Sequence, residues 1–377
     1  MQIVMVAAGF SAGEADQVRR SMAAWKRKGG LEKYRDKLMA GMAARDYDPA
    51  FAEQIYQQIL GFGAYGFPES HAASFALLAY VSAWLKCHHP AAFICGLLNS
   101  QPMGFYPPSM LVREAQRMGV GVQPVAVQHS EWDSHLEPDA QGQPTLRLGL
   151  RQVEGFNEAA AQRLMAARHL RPFDSLNDLV RRAHLDARER NALARADALA
   201  TLAGHRHQAR WAVLGLQPAD DLLQTPAAES RQHSLPPPSE GADILHDYNS
   251  VGLTLRRHPV ALLRPQLNRL RVWRNGDLAE VTDGQRIRVA GLAMFRQRPG
   301  SAKGVMFLTL EDETGIVNLI IRPDLINRDR QAIVGGQMLV ARGRLQRQQG
   351  IVHLLAEGVD DYSHWVHGLP HLSRDFH

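Results

Sequence analysis

Between Gly61 and Phe93 the chain reads GFGAYGFPESHAASFALLAYVSAWLKCHHPAAF, and no other segment constrains the fold as strongly. Gly61, Gly63 and Gly66 suit a tightly turning loop. Ser70 suits a helix N-cap, and Pro90 marks where that helix ends. The residues between are apolar on nearly every side, which predicts a helix buried in a core. The N-terminus of a helix held in this way presents free N–H groups and a positive dipole end, a setting that suits a phosphate. An ordinary capped core helix accounts for the same residues.

With 377 residues, 45% hydrophobic and 21% charged, the chain predicts a globular protein with two or three cores. A net charge of +5 is compatible with a polyanionic partner only if the basic residues cluster. Two cysteines, Cys87 and Cys95, exclude a disulfide framework, suit a reducing cytoplasm and read as packing residues. The 17 histidines show no paired metal-ligand spacing. The opening MQIVMVAAGF lacks the basic leader of a signal peptide, and no apolar run is clean enough to span a membrane.

Ser11-Ala-Gly-Glu14 forms a capping box that opens a helix. Its apolar face is Ala15, Val18, Met22 and Trp25, with Arg19 and Lys26 on one flank and Arg20 and Arg27 on the other. Such cation rows suit a triphosphate or a template backbone, and equally a solvated helix face. Ser109–Met118 reads as an amphipathic helix and Val120–Val127 as a short strand.

From Leu148 to Arg168, Val153-Glu154-Gly155-Phe156 separates helix-like segments and resembles a helix-hairpin-helix module. There, glycine lets backbone amides approach a DNA phosphate. Asn157 stands where a second glycine is usual, and it tolerates the left-handed conformation better than most residues. Leu185–Leu202 reads as a second unit that lacks the glycine hairpin at Arg195-Ala196-Asp197, so its role is read as structural. Gln224–Gly241, with three consecutive prolines, reads as a linker, and Asp247–Arg264 as the segment that docks it back.

After Asp283 five strand-like runs are visible, with a helical piece from Pro323 to Ile333 between the third and fourth. That is the order of an OB barrel, a small fold that commonly binds single strands. Arg286, Arg288, Arg296, Arg298, Lys303, Arg322, Arg342, Arg344 and Arg347 make it basic, and Phe295 and Phe307 are candidate stacking faces. Glu311-Asp312-Glu313 reads as a solvated hairpin tip.

FGAYGF, SHAASFAL and WLKCHHPAAF resemble the fingers region of C-family bacterial DNA polymerases, the family of the polymerase III alpha subunit. FPESHAASFALL and LNSQPMGFY resemble its error-prone, damage-induced branch, with Pro68-Glu69 where replicative members carry a basic pair. The resemblance implies a multidomain chain, mostly α in its fingers and helix-hairpin-helix regions, followed by an all-β OB-type barrel with one short helix. It implies fingers over 1–135, helix-hairpin-helix over 136–215, a linker and docking segment over 216–282, the barrel over 283–360 and a tail over 361–377. Arg19, Arg20, Lys26, Ser70 and His71 would lie near the incoming nucleotide. Val153, Gly155, Asn157, Arg286, Arg288, Arg296, Arg298, Lys303 and Arg344 would contact DNA.

Magnesium would serve the full polymerase through palm aspartates of the DIDIDF type, a motif absent between Met1 and His377. No catalytic or metal-binding residue is therefore expected in the chain, which is read as inactive by itself. The implied partners are primer-template and single-stranded DNA, deoxynucleoside triphosphate, the missing palm portion, damage-response accessory proteins and a sliding clamp. Gln266–Leu270 bears a faint likeness to a clamp-binding peptide. A non-enzymatic single-strand-binding protein and a protein-docking module are the competing readings.

Overall fold

The computed structural model describes residues 2–23, 32–65, 69–104, 106–216, 234–299, 302, 304–348, 350–370 and 374–376. Two units result, Met1–His88 and His89–His377. In the first, α1 (Gln2–Val6), α2 (Ala12–Ala23), α3 (Glu32–Ala43) and α4 (Pro49–Tyr65) are followed by α5 (Glu69–His88). Val4, Phe10, Val18, Leu38, Met42 and Ile55 are among the residues of its core. Gly41 is required there, because a Cβ would collide with the Ala8 carbonyl. The capping box is formed as expected: Glu14 N donates to Ser11 Oγ at 3.3 Å and Ser11 N to Glu14 Oε2 at 3.0 Å.

Two expectations for this unit are corrected. Gly61 and Gly63 lie inside α4 rather than in a loop, since a glycine costs a helix only about 1 kcal/mol against alanine. And α5 is not buried: Phe75, Leu77, Leu78, Tyr80, Val81 and Trp84 are all exposed. A helix apolar all round needs neighbours on every side, yet no described residue of α5 belongs to the buried clusters.

In the second unit, α6 (Pro90–Asn99) and α7 (Pro108–Arg117) pack beside a three-stranded sheet of β1 (Val122–Gln123), β2 (His135–Pro138) and β3 (Pro144–Arg147). The sheet order is β1-β3-β2, with β1 parallel and β2 antiparallel to β3. The expected strand at Val120–Val127 is thus only two residues long. A 3-10 turn at Leu150–Gln152 leads to α8 (Glu158–Leu170), α9 (Leu176–Arg182), α10 (Ala187–Arg195), α11 (Ala200–Ala203) and α12 (Arg206–Leu214). One core joins these elements through Leu98, Leu146, Leu150, Leu164, Leu179 and Leu193.

Two further helices, α13 (Glu240–Val251) and α14 (Pro259–Arg269), precede β4 (Arg286–Gln297), β5 (Met306–Glu311) and β6 (Ile316–Ile321). Two short helices, α15 (Pro323–Arg328) and α16 (Arg330–Gly335), stand where one was expected, before β7 (Met338–Gln348) and β8 (Ile351–Asp361). The pairing order β5-β6-β8-β7-β4, closed by β4 with β5, makes a five-stranded barrel, and β9 (Arg374–Phe376) adds to β4 in parallel. Inward Ile287 and Val289 fill the barrel, whereas Ala290, Leu292 and Met294 face a second core with Ile244, Tyr248 and Val260. The middle of β4 is therefore buried on both sides.

The docking of barrel onto helices is ionic at its edge. Arg264 Nη2 reaches Asp312 Oδ2 at 3.0 Å and its Nε reaches Glu313 at 2.6 Å. Arg113 pairs with Glu311 and donates to Tyr248 Oη at 2.7 Å. Glu311 and Asp312 are buried, so the acidic triplet is a docking point and not a solvated tip. The sequence showed the turn but not what covers it.

Deeper in the helical part, fully buried Arg206 binds Asp243 Oδ1 at 2.5 Å and also Asp247. Arg206→Ala removes the buried partner of two carboxylates and leaves them only the half-exposed Arg256, at 3.2 Å from Asp243 and 3.5 Å from Asp247, so it is expected to cost about 3 kcal/mol in urea unfolding. Nearby, His258 caps α14 by accepting from Val260 N at 3.2 Å, while its Nε2 is buried without a partner. Burial, then Arg113, Arg264 and Arg117, push its pKa well below the ordinary histidine value. The unfolded chain then binds more protons, so stability should fall as pH drops below about 6.5. His258→Asn keeps a cap and is expected to flatten that slope in unfolding measured from pH 8 to 5.

Candidate nucleic-acid interface

In the first unit α2 presents Arg19 to solvent, where it pairs with Asp16 one turn back at 2.8 Å. Glu14 is held at a pKa of about 2 by Lys37, then by the Ser11 amide and hydroxyl. Asp16 thus neutralises one cation of α2, whereas Glu14 serves Lys37 on α3. The Arg20 side chain and Lys26 lie outside the described residues, so the two cation rows are visible only at Arg19. Ser70 is the second residue of α5 and not its cap, and its side chain is also outside the description. His71 is exposed and tilted against Phe75, ring centroids 4.4 Å apart.

The hairpin between the 3-10 turn and α8 is built as its residues require. Val153 and Phe156 are buried anchors, and Gly155 takes φ +78° with open space where a Cβ would sit. Its outer surface is therefore backbone, as a close approach to a phosphate needs. The Val153 side chain thus serves as an anchor. Asn157 departs from the expected left-handed form: its φ is −109°, and its Oδ1 accepts from Ala160 N at 2.8 Å as the cap of α8. Glu158 follows in the first turn, and the Glu154 amide is already given to Ser250 O at 2.8 Å. The Phe156 amide is likewise given to Val153 O at 3.2 Å, so the amide left on this turn for a phosphate is that of Gly155, with two carboxylates close by in sequence.

In the second unit the turn at Arg195-Ala196-Asp197 is closed without a glycine. Asp197 adopts φ +59° in place of the missing glycine, and its carboxylate binds Arg256 at 2.9 Å. Burial raises the Asp197 pKa, against the pull of Arg206 and Arg256.

On the barrel, outward alternation exposes Arg286 and Arg288 on β4 and Arg342 and Arg344 on β7. Register sets Arg286 opposite Arg344 and Arg288 opposite Arg342. Glu357 lies between Arg286 (3.2 Å) and Arg344 (3.3 Å), and Asp360 accepts from Arg342 at 2.9 Å. Arg298 is exposed at the start of the β4–β5 connection, and Lys303 falls outside the described residues.

Arg296 is a correction. It is 4% exposed and donates through Nε to Ile333 O at 2.7 Å and through Nη2 to Gly336 O. A register shift between Ala293 and Phe295 changes which β4 side chains point outward, so simple alternation fails there. Arg347 likewise serves carbonyls, at Ala279 and Val281. Phe295 packs against the core beside α13, whereas Phe307 remains half-exposed on β5. Sequence reading missed Glu357 and Asp360, whose relation to the arginines depends on cross-strand register alone. Gln266–Leu270 lies within or at the end of α14 with Leu267 fully buried, so it is not displayed as a peptide. Cys87 is exposed rather than packed, while Cys95 donates to Ser134 O at 3.1 Å.

Among the described residues no group of His, Cys, Asp and Glu could hold a metal ion, and the acidic triplet is taken by Arg113 and Arg264.

A glycine hairpin and an OB barrel with an arginine face together define a nucleic-acid-binding chain. Sequence comparison agrees: a helix-hairpin-helix motif family matches residues 119–209, an OB-fold nucleic acid binding domain matches 287–361, and the bacterial DNA polymerase III alpha subunit finger domain matches 1–46. Over its whole length the chain is homologous to part of the error-prone bacterial DNA polymerases. It is 52% identical over 377 residues to the error-prone DNA polymerase of Alkalilimnicola ehrlichii, covering 100% of this chain and 37% of that relative. The namesake from Methylococcus capsulatus is 51% identical over 395 residues, covering 100% and 38%. The chain thus spans well under half the length of these relatives. Among solved structures, asparaginyl-tRNA synthetase from Pyrococcus horikoshii is similar over 21% of this chain and 20% of its own at 24% identity (TM-score 0.19), a likeness too slight to carry weight.

Gly155→Ala places a Cβ at a left-handed position without a clash, so the cost is backbone strain of about 1 kcal/mol. It is expected to lower the urea midpoint modestly and to weaken duplex binding by more than the Val153-anchored fold loses, read by fluorescence anisotropy.

Proposed function

We propose that this chain is the DNA-gripping portion of an error-prone polymerase. It would hold primer-template and single strand while bond formation depends on palm carboxylates supplied by other polypeptide. The supporting observation is the half-identity to error-prone polymerases over the whole chain, combined with the arginine face of the barrel. Nucleotidyl transfer needs closely placed carboxylates for its metal ions. Glu311, Asp312, Asp243 and Asp247 are instead engaged by arginines.

The exposed apolar side of α5 supports the same reading. A contiguous apolar surface on a soluble chain marks an interaction site, and Phe75, Leu77, Leu78 and Tyr80 would be covered by the remaining polypeptide of the polymerase. Arg19, Arg20, Lys26, Ser70 and His71 would then lie toward the triphosphate. Lesion bypass, a cytoplasmic setting, a sliding clamp and accessory proteins belong to the same proposal, by kinship with the relatives.

The chain with magnesium is expected not to extend a primer, and to contribute extension only when a palm-bearing polypeptide of a relative is added. Gel-resolved primer extension reads both outcomes, and extension by the chain alone refutes the division of labour. Binding to oligonucleotide should weaken as salt rises, with a log–log slope of about −0.7 per single-strand phosphate contacted. A flat salt response would reject the proposal.

A further inference from the structure

We infer that the β4–β7–β8 face of the barrel is a phosphate-backbone site for single-stranded nucleic acid, with Glu357 as its built-in competitor. The inference rests on the DNA-gripping reading above and names a surface for it. Like charges directly opposite on neighbouring strands are destabilising, yet Arg286 faces Arg344 and Arg288 faces Arg342. Only Glu357 and Asp360 are ion-paired with this quartet among the described residues. Arg288 instead donates to the Leu270 carbonyl at 3.1 Å. The patch therefore keeps an excess of positive charge.

Its geometry is built and not incidental. The β7–β8 register shifts between Arg342 and Gly343, so Glu357 is the extra residue of a bulge. Arg328 Nη2 holds the Glu357 carbonyl at 2.8 Å. A Cβ on Gly358 would collide with the Arg342 guanidinium, so glycine lets that side chain lie across the strand. The Glu357 carboxylate sits between two guanidiniums at 3.2 and 3.3 Å, where all three side chains are substantially exposed. Such exposed pairs are weak. A phosphodiester carries the same charge, matches the guanidinium fork better and gains from counterion release.

The surface beside the quartet suits bases. Register carries one outward row from Arg286 through Arg344, Leu355 and Ile320 to half-exposed Phe307. With neighbouring strands about 4.8 Å apart, this row crosses the barrel exterior from a charged end to an aromatic one. A strand lying along it would place phosphates on arginines and a base against Phe307.

The test uses the full chain and a fluorescein-labelled 20-residue oligothymidylate, with anisotropy read over a salt series. Glu357→Gln keeps the shape and removes the competitor, and should tighten binding about threefold or more at low salt. The double variant Arg286→Ala/Arg344→Ala should weaken binding at least tenfold and reduce the log–log slope by about 1.4, two contacts at about 0.7 each. Equal thermal melts of the variants exclude a folding cause, and Glu357→Gln stands as the independent readout if the double variant melts early. If Arg298→Ala abolishes binding while the Glu357 and Arg286/Arg344 variants match wild type, this face is wrong although the DNA-gripping reading survives. If wild type fails to bind the oligonucleotide, both fall. Equal displacement by polyglutamate would also overturn the site, as an unspecific anion surface.

Discussion

The position of the barrel depends on three carboxylates in one turn. Glu311 at the end of β5 and Asp312 and Glu313 in the β5–β6 connection are received by Arg113 on α7 and Arg264 on α14. Buried pairs of this kind add little net stability over an apolar contact, but losing one partner is costly because the other charge remains buried. Their effect is to set one orientation of barrel on helices. Once that is set, Ala290, Leu292 and Met294 are covered by Ile244, Tyr248 and Val260. The arginines at the start of β4 and in the middle of β7 fall beyond that covered patch and stay exposed.

Arginine does two different jobs in this molecule, and composition does not separate them. Arg206, Arg264 and Arg296 are buried and clamp carboxylates or carbonyls. Arg147 joins them, binding the Glu137 carboxylate at 3.1 Å through Nε and Pro124 O at 2.9 Å. The guanidinium has five donors in a planar fork, so it can satisfy several acceptors at once inside a fold. A net charge of +5 therefore says less about a polyanion than the placement of a few side chains on one sheet face.

The two halves of the interface differ in how much backbone and charge they offer. At the hairpin, Gly155 exposes main chain, but Glu158 and the engaged Glu154 amide restrict what can approach. On the barrel, side chains carry the charge and the backbone is occupied in ladders. Phosphate contacts of the second kind position a strand without reading its sequence.

Much of the architecture was legible from residue order. The capping box at Ser11 and Glu14, the amphipathic α7 and the strand-helix-strand order of the barrel follow from local spacing, which operates within a few residues. Gly155 was legible too, because a positive φ with open space favours the residue without a Cβ. The β4 bulge that turned Arg296 inward was not legible, nor was the cap role of Asn157 or the burial of Asp312. Nor was the exposure of α5, since apolar content states a need for neighbours without saying whether this chain contains them. Local periodicity and capping are properties of adjacent residues, so the order of amino acids determined the elements and their sequence. Which guanidiniums meet carboxylates, and which remain for a ligand, depended on cross-strand register and packing between segments far apart in the chain, and only the tertiary structure decided it.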